Sequence, residues 1–289
     1  MKKLNRLVAA TLAGVMLMGM FGCSKTDEQP SENNAVENTA GTELKTVSEG
    51  QFIWATNAEF EPYEYREGEE IVGIDAEISA YIAEKLGLEV KCEDMAFDSI
   101  IAAVNSGKAD IGIAGMTVTE DRLENVDFST PYIDAGQVVI VRFDSPIRTA
   151  DDLAGKTIAV QSGTTGDTYA TEEIENATVD RYSKGAEAVQ AVLQNKADAV
   201  IIDNAPAQAY VAKDDDLVTL DEPLTVEEYA IAVKKGNTAL LEQINAIIAE
   251  MQENGKMDEI TAKYLGGNEE LSEETTADSE GATETTTAA

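Results

Sequence analysis

The first residue that demands a chemical explanation is Arg122. In the stretch Thr117-Val118-Thr119-Glu120-Asp121-Arg122, Thr119 is a good N-cap and two acids occupy the turn that follows. The arginine therefore falls in the first turn of a helix, at the positive end of its dipole, which costs from a few tenths to ~1 kcal/mol. Two things could compensate. One is an anion held by the guanidinium fork, the Thr117 hydroxyl and free backbone N–H groups; the other is a surface pairing with Glu124 or Asp127. Just upstream, Gly112, Ala114 and Gly115 leave a short apolar strand unshielded. Glycines inside a strand pattern mark places where something approaches the main chain closely.

A second charged candidate emerges from an internal echo. Residues 100–104 run through Gly107-Lys108-Ala109-Asp110 into the strand at 111–115, and residues 189–193 run through Lys196-Ala197-Asp198 into the strand at 199–203. Aligning the Lys-Ala-Asp triplets sets Asp203 opposite Gly115, each at the end of its strand. The alternative for Asp203 is a helix cap before Ala205-Pro206. Likewise the strand at 157–160 and its loop, Gln161-Ser162-Gly163-Thr164-Thr165-Gly166, echo the strand and loop at 53–57.

The elements that would position these residues follow from periodicity. Residues 51–56 read as a buried strand followed by a loop through residue 65, in which Phe60 is an apolar ring among acids. Helices are expected at 75–86, 97–106 and 238–252, and a short one ends at Gly266; strands are expected at 88–92, 137–141 and 228–233. Repeated strand–loop–helix–strand units build doubly wound, mostly parallel sheets whose ligands bind beyond the strands' carboxyl ends. The expected fold is α/β with two interleaved lobes facing each other across a cleft, joined by two crossings near 132–136 and 225–229. The boundaries are 50–134 plus 229–267 for the first lobe and 135–228 for the second.

Both ends look unlike the rest. Lys2, Lys3 and Arg6 precede an apolar run at 7–21, shorter than the ~20 residues a membrane span needs. The run ends at Gly22-Cys23, the layout of an export signal (1–22) cleaved before a cysteine that becomes lipidated. Met20 and Phe21 depart from the usual residues before such a cysteine, and a plain signal peptide is the alternative. Residues 23–49 read as the lipidated cysteine and a flexible linker, and 268–289 as a disordered acidic tail. Cys92 is the second of two cysteines and so has no expected partner. Net charge is −34, from 55 acidic and 21 basic residues, with no histidine. That repels nucleic acid and anionic membrane surfaces and removes the commonest general base and metal ligand. No cofactor, metal or catalytic residue is expected.

These motifs together resemble the bacterial extracellular solute-binding proteins of family 3, which deliver polar amino acids to ABC importers. The resemblance spans residues 50–266 and rests on Ala114-Gly115-Met116-Thr117-Val118-Thr119-Glu120-Asp121-Arg122, on Val126-Asp127-Phe128-Ser129-Thr130-Pro131-Tyr132 and on Ala197-Asp198-Ala199-Val200-Ile201-Ile202-Asp203. It implies that Arg122 binds a ligand α-carboxylate and Asp203 its α-ammonium. It further implies that the Gly115 carbonyl and Thr117 hydroxyl support the ammonium. Thr165 N–H, with Thr164 nearby, would complete the carboxylate site, and Phe60 and Phe97 would wall the side chain. Asn57 stands where relatives often have Asp, and Gln161 where some have Lys.

The implied partners are a free L-amino acid, ABC permease subunits, and the bilayer through acylated Cys23, with the protein a monomer on the outer face of the cell membrane. Because Asn57 and Gln161 are neutral amides that both donate and accept, a neutral polar ligand such as glutamine is expected. Cystine, arginine and lysine follow; for a cationic ligand Glu59 would have to turn inward. The rivals are a fold-sharing dehydratase-like enzyme, which would have to work without histidine, and a ligand-sensing module, which would need a membrane span and an output domain.

Overall fold

A computed structural model describes residues 44–266. The expected export signal, Cys23, most of the linker and the acidic tail lie outside the described residues. The first lobe opens with β1 (Gln51–Thr56), β2 (Glu59–Phe60), β3 (Glu64–Glu67), β4 (Glu70–Val72), α1 (Ile74–Leu86) and β5 (Glu89–Asp94). It continues through α2 (Ile100–Ser106), β6 (Ile111–Gly112), α3 (Glu120–Leu123) and β7 (Val126–Phe128). A crossing strand, β8 (Ile133–Ala135), leads to the second lobe. That lobe holds β9 (Gln137–Arg142), β10 (Thr157–Gln161), α4 (Thr165–Glu172), β11 (Thr178–Tyr182), α5 (Gly185–Leu193), β12 (Ala199–Asp203), α6 (Asn204–Val211) and β13 (Leu217–Thr219). The chain returns through β14 (Glu227–Tyr229) to β15 (Ala232–Lys234), α7 (Thr238–Glu253) and α8 (Lys256–Leu265) in the first lobe.

The two five-stranded sheets have the orders β5-β1-β6-β15-β7 and β11-β10-β12-β9-β13. In each, three neighbouring strands are parallel and the two following pair antiparallel. The repeated Lys-Ala-Asp triplet has a structural meaning. Asp110 Oδ2 accepts the Ile53 N–H at 2.8 Å and Asp198 Oδ2 accepts the Thr157 N–H at 2.8 Å. Each aspartate's own N–H returns a bond to the same residue's carbonyl, again at 2.8 Å. Both lobes thus clamp the start of their first parallel strand to the strand that will carry site residues.

Alternation along these strands fills both faces of each sheet. Phe52, Trp54, Ile111 and Ile113 pack against α1, α7 and α8, while Ile53, Ala55, Ala114 and Met116 face the α2 side. The second sheet buries Ile140, Val200 and Ile202 on one face and Val139, Ile158, Val160 and Ile201 on the other. Burying such side chains contributes about 1.5–3 kcal/mol each, so each lobe has a core of its own. Among the described residues no helix is long and apolar enough to cross a membrane.

Three local readings need correction. The strand expected at 228–233 is two strands in different sheets. β14 pairs with β8 in a ribbon between the lobes, and β15 joins the first lobe. At the break, the Ala230 N–H turns to the Met116 carbonyl and the Ile231 N–H to the Ser129 hydroxyl, which a continuous ladder would not allow. The loop expected at 57–65 holds β2 and the start of β3, which with β4 form a small antiparallel sheet. The helix expected at 97–106 begins as a tighter 3₁₀ turn, Phe97–Ser99.

Candidate functional site

A narrow cavity lies between the two lobes. All the expected ligand-binding residues line it: Asn57, Phe60, Phe97, Gly115, Thr117 and Arg122 from the first lobe, and Gln161, Thr164, Thr165 and Asp203 from the second. Glu64 and Ala114 complete the wall.

Thr119 caps α3 as expected, its hydroxyl accepting the Arg122 N–H at 3.2 Å. The Arg122 side chain then folds back into the cleft rather than pairing with Glu124 or Asp127. Nη1 donates to the Thr117 carbonyl at 2.7 Å, and Nη2 donates across the cleft to the Gly163 carbonyl at 3.1 Å. The guanidinium stacks 5.3 Å from the Phe97 ring centre. No carboxylate pairs with it among the described residues; Asp203 and Glu227 act on it only from a distance, and burial draws it below its ordinary value. A guanidinium has five N–H donors, so most of this fork is still free for an anion. The close approach expected at the glycines has two sources. At Gly112 a Cβ would strike Ile100 Cγ2 at 2.6 Å, which is core packing, and at Gly115 (φ +52°) it would strike Phe60 Cε1 at 2.6 Å, at the cavity wall.

Asp203 occupies the N-cap position of α6 but caps nothing. Its carboxylate instead accepts the hydroxyl of Tyr229, from the ribbon between the lobes. Burial lifts its pKa to about 7, against which the Tyr229 hydroxyl acts, while Glu227 adds to the rise. The Gln137 amide and the residue's own backbone N–H also lower it; a carboxylate this buried with neutral donors alone is a site for a cation.

Below the two charges sits a hub that the sequence did not single out. Glu227 Oε2 accepts from Thr117 at 2.6 Å, Thr165 at 2.9 Å and Gln137 Nε2 at 3.3 Å, and Oε1 accepts from Thr225 at 2.8 Å. One ribbon residue thereby joins hydroxyls from both lobes. The Thr117 and Thr165 hydroxyl protons are spent on it, so both oxygens can otherwise only accept, and Thr165 Oγ1 already accepts the Gln137 amide at 3.0 Å. Thr164 caps α4, accepting the Asp167 N–H at 3.2 Å. The Thr165 N–H, in the first turn of α4, has no intrahelical acceptor and lies where an anion would be favoured.

The amides of Asn57 and Gln161 are less versatile than their chemistry suggests. Gln161 Nε2 donates to Asn57 Oδ1 at 2.9 Å across the cleft and to the Ser183 carbonyl at 3.3 Å, while Asn57 Nδ2 donates to the Met95 carbonyl at 2.9 Å. Both N–H groups of Gln161 and one of Asn57 are engaged, so what the pair mainly offers is carbonyl oxygen. Phe60 packs against buried clusters of both lobes. Glu59 points away from the cavity to Lys184, and Glu61 pairs with Lys213.

Glu64 and Asp75 were not distinguishable from the many other acids in the sequence. Glu64 is 1% exposed, and neither of its oxygens receives a hydrogen bond from a protein donor. Asp75 lies beside it; two carboxyls can share a hydrogen bond only when one is protonated. Burial, then Asp75, pushes the Glu64 carboxyl well above the usual range. Asp75, lifted by burial to about 6, accepts the Gly115 N–H at 2.8 Å and the Tyr132 hydroxyl at 2.9 Å. It thus holds the strained turn at Gly115 in place. Among the described residues no cluster of His, Cys, Asp and Glu could hold a metal ion.

A zwitterion between two sheet-based lobes is the ligand such a site fits, and the family comparison agrees. Residues 52–267 match the model for bacterial extracellular solute-binding proteins, family 3. The chain belongs to this family. An arginine-binding extracellular protein, ArtP, of Bacillus subtilis is 34% identical over 75% of this chain and 87% of its own length. The glutamine-binding protein GlnH of an ABC transporter of the same organism is 30% identical over 92% and 98%. A mutant of the arginine-binding protein ArgBP from T. maritima, solved by crystallography, superposes with a TM-score of 0.73 and 43% identity, covering 75% of this chain and 96% of that one. Like its relatives, this family 3 protein is an extracytoplasmic amino-acid-binding component of an ABC transporter, with two interleaved α/β lobes.

Proposed function

We propose that this solute-binding protein captures an L-amino acid between closing lobes, with Arg122 on the α-carboxylate and Asp203 on the α-ammonium. Thr165 N–H and Thr164 complete the carboxylate site, Gly115 carbonyl and Thr117 oxygen the ammonium site. Phe60 and Phe97 are the aromatic walls, and Asn57 and Gln161 line the side-chain end. The observation that carries this reading is a pair of opposite charges, neither with an ionic partner: Arg122 without a carboxylate and Asp203 with only neutral donors, brought from separate lobes to one cavity. A buried zwitterion needs both ends paired, since an unpaired buried charge costs several kcal/mol. Drawing the two partners from different lobes makes binding and closure one event.

In this reading the lobes are residues 50–134 plus 229–267 and 135–228, and they open about the β8–β14 ribbon. The protein is a binding protein and not an enzyme: Arg122, Asp203 and the Glu227 hub are arranged to hold charges. It works as a monomer, exported by residues 1–22 and tethered to the outer face of the cell membrane through acylated Cys23. Differential scanning fluorimetry against the common amino acids and cystine tests the function, because a ligand that binds only the folded state raises its melting point by mass action. A rise with one amino acid or a small group of them is expected; no shift with any at millimolar concentration contradicts it.

A further inference from the structure

The cavity wall carries one ionisable side chain more than the two ends of an amino acid need. Its ionisable lining residues are Arg122, Asp203 and Glu64. The first two take the α-carboxylate and α-ammonium in the function proposed above, on which this inference rests. Glu64 is left over. It begins β3 opposite Phe60, with its neighbours Arg66 and Glu67 exposed, so it is the one residue of that strand turned fully inward. A carboxyl buried without a donor destabilises a fold by several kcal/mol, and an apolar residue of similar size would avoid that cost. The polar groups near it point the same way. Gln161 has both amide N–H groups occupied and Asn57 one of its two, so between them they offer mainly acceptors. A donor-rich, planar cation would satisfy the carboxylate and the amide oxygens together and lie flat against Phe60.

We propose that Glu64 is the specificity-determining residue of the cleft and that it selects a cationic side chain, best a guanidinium such as that of L-arginine. The groups facing Glu64 are Asp75 from α1, Tyr63 just ahead of β3, Cys92 from β5, Tyr132 just ahead of β8 and Asp203 from the end of β12, none of them a cation. Before binding, these neighbours and burial keep the carboxyl protonated. When the guanidinium arrives, the proton leaves to solvent and an ion pair takes its place. Arginine binding therefore releases a proton and strengthens as pH rises, whereas binding of a neutral side chain does neither at this residue.

The test is titration calorimetry of the mature protein with L-arginine, L-citrulline (the neutral isostere of arginine) and L-glutamine, repeated in buffers of different ionisation enthalpy. The wild type is expected to bind arginine at least ~tenfold tighter than citrulline or glutamine, with a buffer-dependent heat that marks proton release for arginine and exceeds that for citrulline. Glu64→Gln should lower arginine affinity far more than citrulline affinity and so remove the preference, and Glu64→Asp should retain part of it. The wild-type comparison stands even if a variant fails to fold. Citrulline or glutamine binding as tightly as arginine, or Glu64→Gln binding arginine like the wild type, overturns the assignment of Glu64 while leaving the amino-acid site intact. Absence of binding by every amino acid overturns the underlying function as well.

Discussion

In the first lobe the third strand of the parallel trio, β6, ends at Gly112 and gives way to a bare turn through Gly115. Its counterpart β12 in the second lobe runs on to Asp203, whose carboxylate hangs at the strand end. The sheets share their strand order and their aspartate clamps, so the scaffold does not explain the difference. The loops do. The first lobe bends at Gly115, held by Asp75, so that α3 can turn Arg122 back into the cleft. The second uses α4 and α6 to present free N–H groups and an acid. Even Asn57 and Gln161, which follow equivalent strands, meet each other across the cavity. A duplicated frame with opposite charges at corresponding edges becomes a receptor for a molecule that carries both.

If that contrast is the basis of binding, the largest losses come from neutralising either edge. Asp203→Asn should lower affinity by about 2–5 kcal/mol without unfolding the protein, since truncating one partner of a buried charge pair strands the other. Calorimetry paired with a thermal melt would separate the two effects, and near-wild-type affinity would break the comparison.

Asp75 is the next largest effect and concerns stability. Its folded pKa of about 6 is raised above the ordinary 3.8. Its contribution is therefore full below pH 4 and is lost as pH rises to 6, on the order of 3 kcal/mol. Urea unfolding of the ligand-free protein should show this decline, and Asp75→Asn, which can still accept from Gly115 and Tyr132, should flatten it. An unchanged slope in the variant would mean that another group titrates.

Glu227→Gln should weaken ligand binding by about 1–3 kcal/mol, because the ribbon would lose charge-assisted bonds to a hydroxyl from each lobe. Scattering should show less compaction with ligand than in the wild type. Equal compaction would show that the hub only decorates the closed form. The smallest effect belongs to the exposed pair Lys184–Glu59 at the rim. Lys184→Ala should change affinity slightly at low salt and not at all at high salt, as screening requires; a large, salt-independent loss would move part of the account to the rim.

Much of this contrast was legible in the sequence because its signals are local. The Lys-Ala-Asp echo betrayed the duplication, and Arg122 stood out against a helix dipole. The parallel strands β1, β5, β6, β10 and β12 were readable, whereas the polar edge strand β11 (Thr178–Tyr182) was not. Glu64, Asp75 and Glu227 were not. Glu64 sits among Glu59, Glu61, Glu67, Glu69 and Glu70 and Glu227 beside Glu228, and only packing decides which acid turns inward. Asp75 looked like an ordinary first-turn acid because its partners, Gly115 and Tyr132, are distant in sequence. The break between β14 and β15 was hidden by an apolar run that serves two sheets in succession. Asn57 and Gln161 were identified as lining residues, but their amide orientation depends on a bond formed only when the lobes meet.

The central claim is that Arg122 meets the carboxylate and not another part of the ligand. A cycle with wild type and Arg122→Ala against L-arginine and its decarboxylated amine agmatine, and likewise L-glutamine and 4-aminobutanamide, isolates that pairing. Removing Arg122 should cost about 2–5 kcal/mol for the amino acid the protein binds and almost nothing for the matching amine, which has already lost the carboxylate. Equal losses for the amino acid and the amine would contradict the account.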